Sequence, residues 1–173
     1  MPRPISSVLC FGMREGKDRF RRDGRLGRWV VRLLVATDGS AHAMRAATFA
    51  ARLAGELRAA EVILLNVGHM PATVLAAPAA GVAIDFGGLE TRLEKSGQAI
   101  LAKTGEQFRE DVPVSRWYRA GDPATEIINA AKTGHADAIV MGTRGLGQIG
   151  GLILGSVSER VLHGASVPVI VVR

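Results

Sequence analysis

The chain has 173 residues, 47% hydrophobic, 22% charged and 5% aromatic, which fits one domain with a sizeable core and leaves little for a second module. A single cysteine, Cys10, excludes an internal disulfide framework and a multi-cysteine zinc site and suits a reducing cytoplasm, and no apolar run reaches the roughly 18 residues needed to span a membrane. Of the net charge of +6, residues 1–28 hold eight Lys/Arg against three Asp/Glu, leaving 14 against 13 for the rest; a nearly neutral remainder argues against nucleic acid as a partner.

Residues 1–28 are rich in Arg and Gly, carry no sustained period and lack an apolar h-region. They read as a disordered, dispensable basic leader that is not a secretory signal, which leaves 29–173 as the folded domain. The pattern begins at Val30, where Val30-Val31-Arg32-Leu33-Leu34-Val35-Ala36-Thr37 is β-branched and nearly all apolar, as a strand buried on both faces should be. After Asp38-Gly39, Ser40 can cap a helix whose apolar positions Ala43, Ala47, Ala50, Leu53, Ala54 and Leu57 recur every three or four residues. Val62 to Val67 is a second buried strand.

From Gly68 to Gly88 the chain carries Pro71, Pro78 and several alanines, a stretch too long for an ordinary connector and suited to a lid or a partner-facing loop. A helix is expected over Leu89–Arg109 with Leu89, Leu93, Ile100 and Phe108 inward, then a strand over Val112–Tyr118. Gly121-Asp122-Pro123 reads as a helix start, with Asp122 the cap and Pro123 the first helical position; that helix carries Ile127, Ile128 and Ala131. Ala136–Met141 is a fourth strand, Ser156 opens the last helix, and Val169–Val172 is the fifth strand. This alternation predicts an α/β fold, a single-domain five-stranded parallel sheet flanked by helices on both faces. Ligands of such sheets bind beyond the carboxyl ends of the strands where the strand order reverses, and Asp38, Val67 and Gly142 lie at those ends.

The segment Met141 to Ser158 joins a buried strand to a helix. Five glycines between Gly142 and Gly151 let backbone N–H groups turn toward one concavity and let a ligand approach closely. Ser156 and Ser158 place hydroxyls at a helix N-terminus, which favours an anion. Arg144 is the loop's only formal positive charge. The pattern is that of a phosphate cradle.

Gly142, two residues, Gly145, nine residues and Gly155-Ser156 together resemble the nucleotide-binding signature of the universal stress protein family's ATP-binding branch. Val35-Ala36-Thr37-Asp38-Gly39-Ser40, Leu64-Leu65-Asn66-Val67, Gly121-Asp122-Pro123 and Pro168-Val169-Ile170-Val171-Val172 are similar to other landmarks of that family. The resemblance implies a Rossmann-like, adenine nucleotide alpha hydrolase-like fold and a homodimer paired through the last strand. It also implies ATP as ligand, with Mg2+ or Mn2+ held through the phosphates. By position, Ala36, Thr37 and Asp38 would lie beside the adenosine and the Val67 backbone at the adenine edge. Met141 and Gly142 would floor the site. Gly145, Gly155, Ser156 and Ser158 would hold phosphates, with Val157 between the serines and Arg144 as the cation. Ala36 stands where many members have proline and Asn66 where histidine is common, and residues 147–151 lack the basic residue often found there.

Other readings of the same residues are open. Ser156 and Glu159 also fit a capping box, Asp38 a simple turn and Arg144 a solvated loop charge. His42, His69, His135 and His163 show no metal or catalytic spacing and read as surface or packing residues. Gly145-Leu146-Gly147-Gln148-Ile149-Gly150 matches the dinucleotide fingerprint in letters, but the acid that motif requires at the end of the next strand is absent from Val169–Val172. A phosphoacceptor receiver domain is excluded because Asp38 has no acidic neighbour and the fifth strand no lysine. Neither a general base, a nucleophile nor a Walker-type lysine is visible, so nothing beyond slow ATP turnover is indicated. The two functional alternatives are an interaction module with an empty site and an enzyme acting on another phosphorylated ligand.

Overall fold

The centre of the sheet is set by the two most apolar runs of the chain. In the computed structural model, which describes residues 8–11, 21–22, 29–57, 60–70, 74, 85–144 and 154–173, these runs are β3 (Trp29–Ala36) and β4 (Ala60–Gly68), hydrogen-bonded in parallel. The flanking strands are β5 (Val114–Ala120), β6 (Ala138–Gly142) and β7 (Val169–Val172), and the parallel order is β7-β6-β3-β4-β5. Leu33 to Ala36 and Val62 to Leu65 are buried, because helices cover both faces. Arg32, the one charge within the first run, sends its guanidinium out at the sheet's lower end to Glu61 and the Gly134 carbonyl.

Helix α1 (Ala41–Glu56) and α2 (Phe86–Gly105) lie on one face, over Leu33, Val35, Val62, Leu64 and Val140; α3 (Pro123–Thr133) and α4 (Ser156–Gly164) cover the other, over Leu34, Ile63, Leu65, Ile139 and Val171. The five-stranded parallel α/β fold expected from the sequence is the fold observed. Caps are also where the sequence puts them. Ser40 Oγ accepts from Ala43 N–H at 3.2 Å, and Asp122 Oδ1 accepts from Thr125 N–H at 3.0 Å with Pro123 opening the helix.

Several expectations need correction. Helix α2 starts at Phe86 rather than Leu89, because Asp85 caps it by accepting from Gly88 N–H at 2.9 Å. The Gly87-Gly88 pair hides that first turn, since glycine is a poor helix former. It ends at Gly105, and its deepest residues are Gly97, Leu101 and Thr104, with Leu89, Leu93 and Ile100 only partly buried. Most of the expected 68–88 loop lies outside the described residues.

The leader, expected to lack regular structure, contains two strands. β1 (Val8–Phe11) pairs antiparallel with β7, and β2 (Arg21–Arg22) pairs antiparallel with the start of β3. Val8-Leu9-Cys10-Phe11 is an apolar run at the short limit for a strand, set in an Arg- and Gly-rich stretch without a neighbouring helix pattern, which is why it escapes a reading of the sequence alone.

Candidate functional site

β3 and β6 are neighbours, with Leu33, Leu34 and Val35 opposite Ala138, Ile139 and Val140. Their exits diverge. β3 leads into α1 on one face and β6 into α4 on the other, so the strand order reverses between them, the place at the carboxyl end of such sheets where a ligand cleft is expected. Continuing the register sets Ala36, Thr37 and Asp38 beside Met141 and Gly142 on one side, and beside Asn66 and Val67 on the other.

The β3 exit is held rigid. Thr37 N–H donates to Leu65 O at 2.9 Å, and the buried Asn66 amide donates to Thr37 O at 2.8 Å. Thr37 Oγ1 lies 3.3 Å from Thr104 Oγ1 on α2. Asp38 Oδ1 accepts from Ser40 N–H at 3.0 Å, an Asx turn, and Gly39 follows at φ +77, a conformation that favours glycine. Asp38 thus has the turn role as one of its functions. Asn66 is the residue that sequence reading undervalued: it ties the β3 and β4 ends together at the carboxyl edge of the sheet.

At the β6 exit the chain forms a closed neck. Thr143 N–H donates to Val172 O at 2.9 Å. The Thr143 carbonyl then accepts from Gly155 N–H at 2.7 Å and from Ser158 Oγ at 3.2 Å, and the same hydroxyl lies 3.0 Å from Gly142 O. Residue 144 and the start of α4 are therefore drawn together. The cradle positions 145–153, Gly145 among them, lie outside the described residues.

Gly155 is the cap residue of α4, and among the described residues no side chain caps that helix. Ser156 is its first residue, exposed, and Val157 packs inward on the core. The capping-box reading of Ser156 with Glu159 is therefore wrong by one position. Ser158, buried, gives its proton to the neck carbonyls instead of offering it outward.

Gly142 meets a different constraint from a ligand's approach. A Cβ there would sit 2.7 Å from the His42 carbonyl carbon and 2.9 Å from Ala43 N, so glycine lets the first turn of α1 press against the end of β6. His42, read from the sequence as surface or packing, is a neighbour of the cleft. Its Nδ1 is buried without a hydrogen-bond partner among the described residues. Burial, then the charges of Arg45 and Arg144, push its pKa below the ordinary histidine value, opposed by Asp38. No sequence spacing announces this, because the contact is across the sheet.

Helix α4 is fixed from behind as well. Arg160 forks onto Asp122, with Nη1 and Nη2 at 2.8 and 2.7 Å from its two oxygens. These bonds, with those from Thr125, hold the Asp122 carboxyl well below the usual carboxylate range.

The model of the Universal stress protein family matches residues 31–173. The chain belongs to that family. A universal stress protein of Thermus aquaticus is 38% identical over 144 residues, covering 82% of this chain and 97% of the relative. Universal stress protein YxiE of Bacillus subtilis is 35% identical, covering 82% and 98%. Among solved structures, the hypothetical protein MJ0577 superposes with a TM-score of 0.70 at 26% identity, over 82% of this universal stress protein and 94% of that chain. Two further structures share the fold: a universal stress protein in complex with cAMP (TM-score 0.62, 23% identity, 83% and 97% covered) and one from Archaeoglobus fulgidus in complex with dAMP (0.55, 22%, 83% and 98%). Among the described residues of this family member, no helix is long and apolar enough to cross a membrane.

Proposed function

We propose that this universal stress protein is a cytoplasmic, ATP-binding regulatory protein whose nucleotide lies in the cleft between the β3 and β6 exits. The observation that carries the reading is the neck. Thr143, Gly155 and Ser158 cinch the glycine-rich segment onto the N-terminus of α4, whose first N–H groups no side chain caps, and such a terminus favours phosphate. Ala36, Thr37 and Asp38 would flank the adenosine, with the Val67 backbone at the base edge and Met141 and Gly142 beneath. Gly145, Gly155, Ser156 and the Val157 backbone would meet phosphates, and Arg144 would supply positive charge. Ser158 acts through the neck. That two proteins of the same fold hold cAMP and dAMP is consistent with an adenine nucleotide in this cleft.

Among the described residues, no group of three His, Cys, Asp or Glu could hold a metal. A Mg2+ or Mn2+ ion would accordingly ride on the phosphates. A homodimer of the nucleotide-loaded form would pair through β7, whose residues Val169-Ile170-Val171-Val172 are all apolar, and would need the β7 edge that β1 occupies here. A second reading, the same fold with an empty site serving as an interaction module, draws on the lack of any basic residue from 145 to 155.

Mass spectrometry of ligand released from the purified protein, with calorimetric titration of ATP, decides between them. Co-purified adenine nucleotide or saturable ATP binding supports the cleft. Neither one, with ATP in the millimolar range, sinks it.

A further inference from the structure

The edge of β7 is not bare. β1 runs antiparallel along it with Val8 opposite Val172, Leu9 opposite Val171, Cys10 opposite Ile170 and Phe11 opposite Val169. Every residue of β7 is matched, and β1 is the last strand on that side of the sheet.

A symmetric dimer built on β7 would place a second β7 in the same slot. Across a two-fold axis two equivalent edge strands run antiparallel and use the same N–H and C=O groups. β1 reproduces that partner in direction, in its four-residue length and in apolar character, Val-Leu-Cys-Phe against Val-Ile-Val-Val. One edge cannot pair with both strands.

We propose that β1 is an intramolecular substitute for the β7 of a second copy, so that the leader and another subunit compete for a single strand edge. This rests on the reading of β7 as the self-pairing surface. Tethering decides which strand wins. A segment joined to β3 through residues 12–28 acts at an effective concentration on the order of 1 mM, whereas a second copy at about 10 μM is roughly a hundredfold more dilute. The leader therefore holds the chain monomeric, and anything that draws residues 8–11 away releases the dimer.

Leu9→Pro/Cys10→Pro in the full chain tests this. Consecutive residues of a strand point their N–H groups to opposite sides, so one of the two prolines removes a donor facing β7 whichever way β1 lies. Light scattering over a concentration series should find the parent monomeric and the folded double variant dimerising at least about tenfold more tightly.

A parent that dimerises as well as the variant overturns the capping role and leaves the β7 dimer standing. A variant that stays monomeric throughout overturns both. A parent dimer that the prolines abolish means that β1 is exchanged between copies, and also overturns the proposal. Ile170→Cys gives an independent check, because it places a thiol opposite Cys10. Mild oxidation with oxidised glutathione should yield a monomer that has lost two hydrogens; a Cys10-linked dimer contradicts capping in cis.

Discussion

Ser156 and Ser158 share one turn of helix yet have separable roles. The Ser158 hydroxyl is buried on two backbone carbonyls, so Ser158→Ala should cost about 1–3 kcal/mol of stability through the unpaired neck, read by urea denaturation without ligand. Ser156, exposed and carrying no capping bond, should lose less than about 0.5 kcal/mol on change to alanine. Its loss should appear in calorimetry with ATP, weakened by about 1.5–3 kcal/mol if the hydroxyl meets a charged phosphate oxygen. Equal ATP affinity in parent and Ser156→Ala would remove Ser156 from the site. His42 adds a pH term. Its folded-state pKa is lowered, so the unfolded chain binds the proton more readily. The resulting stability is present in full above the ordinary value of about 6.5 and is lost as pH falls from there toward the lowered value. Melting temperatures at pH 7 and 5.5 should differ less for His42→Gln than for the parent.

Helix α1 reaches the sheet through a face made of Ala43, Ala46, Ala47, Ala50 and Ala54, all buried. Small side chains there and the missing Cβ of Gly142 allow one close packing, so Ala47→Leu should destabilise by about 1–3 kcal/mol through overpacking, seen as a lower denaturation midpoint. At α3, Asp122→Ala removes the cap and the Arg160 fork together and should cost about 1 kcal/mol, whereas Asp122→Asn, which keeps a capping oxygen, should retain most of it. Elements with local signals were legible before the structure: the Ser40 and Asp122 caps, Pro123 at the first helical position, and the buried runs of β3 and β4. The inner face of α2 was not, since Gly97 and Thr104 sit there beneath Tyr118 and Thr37 for reasons that lie on other elements. The same limit applied to the cleft. Its strand-end residues could be read from the alternation of strand and helix, but the neck, Asn66 and His42 depend on contacts across the sheet.

For the molecule as a whole, a ligand bound only by the folded state stabilises it by mass action. ATP at about a hundred times its dissociation constant should add about 2.7 kcal/mol to the parent and nothing to Gly155→Val, whose side chain would intrude beside Thr143 O, 3.3 Å from a Cβ there. A melting scan with and without ATP reads both, and a Gly155→Val protein that gains as much as the parent would contradict the cradle. Because Thr143 and Gly155 are joined backbone to backbone, the span between them begins and ends at a fixed gap, as the stem of a hairpin fixes its tip. Its length and composition can then drift, or be replaced by a foreign peptide, while the sheet beneath keeps its shape. Replacing residues 146–152 by a Gly-Ser peptide of the same length should therefore leave the urea midpoint of the ligand-free protein within about 0.5 kcal/mol of the parent.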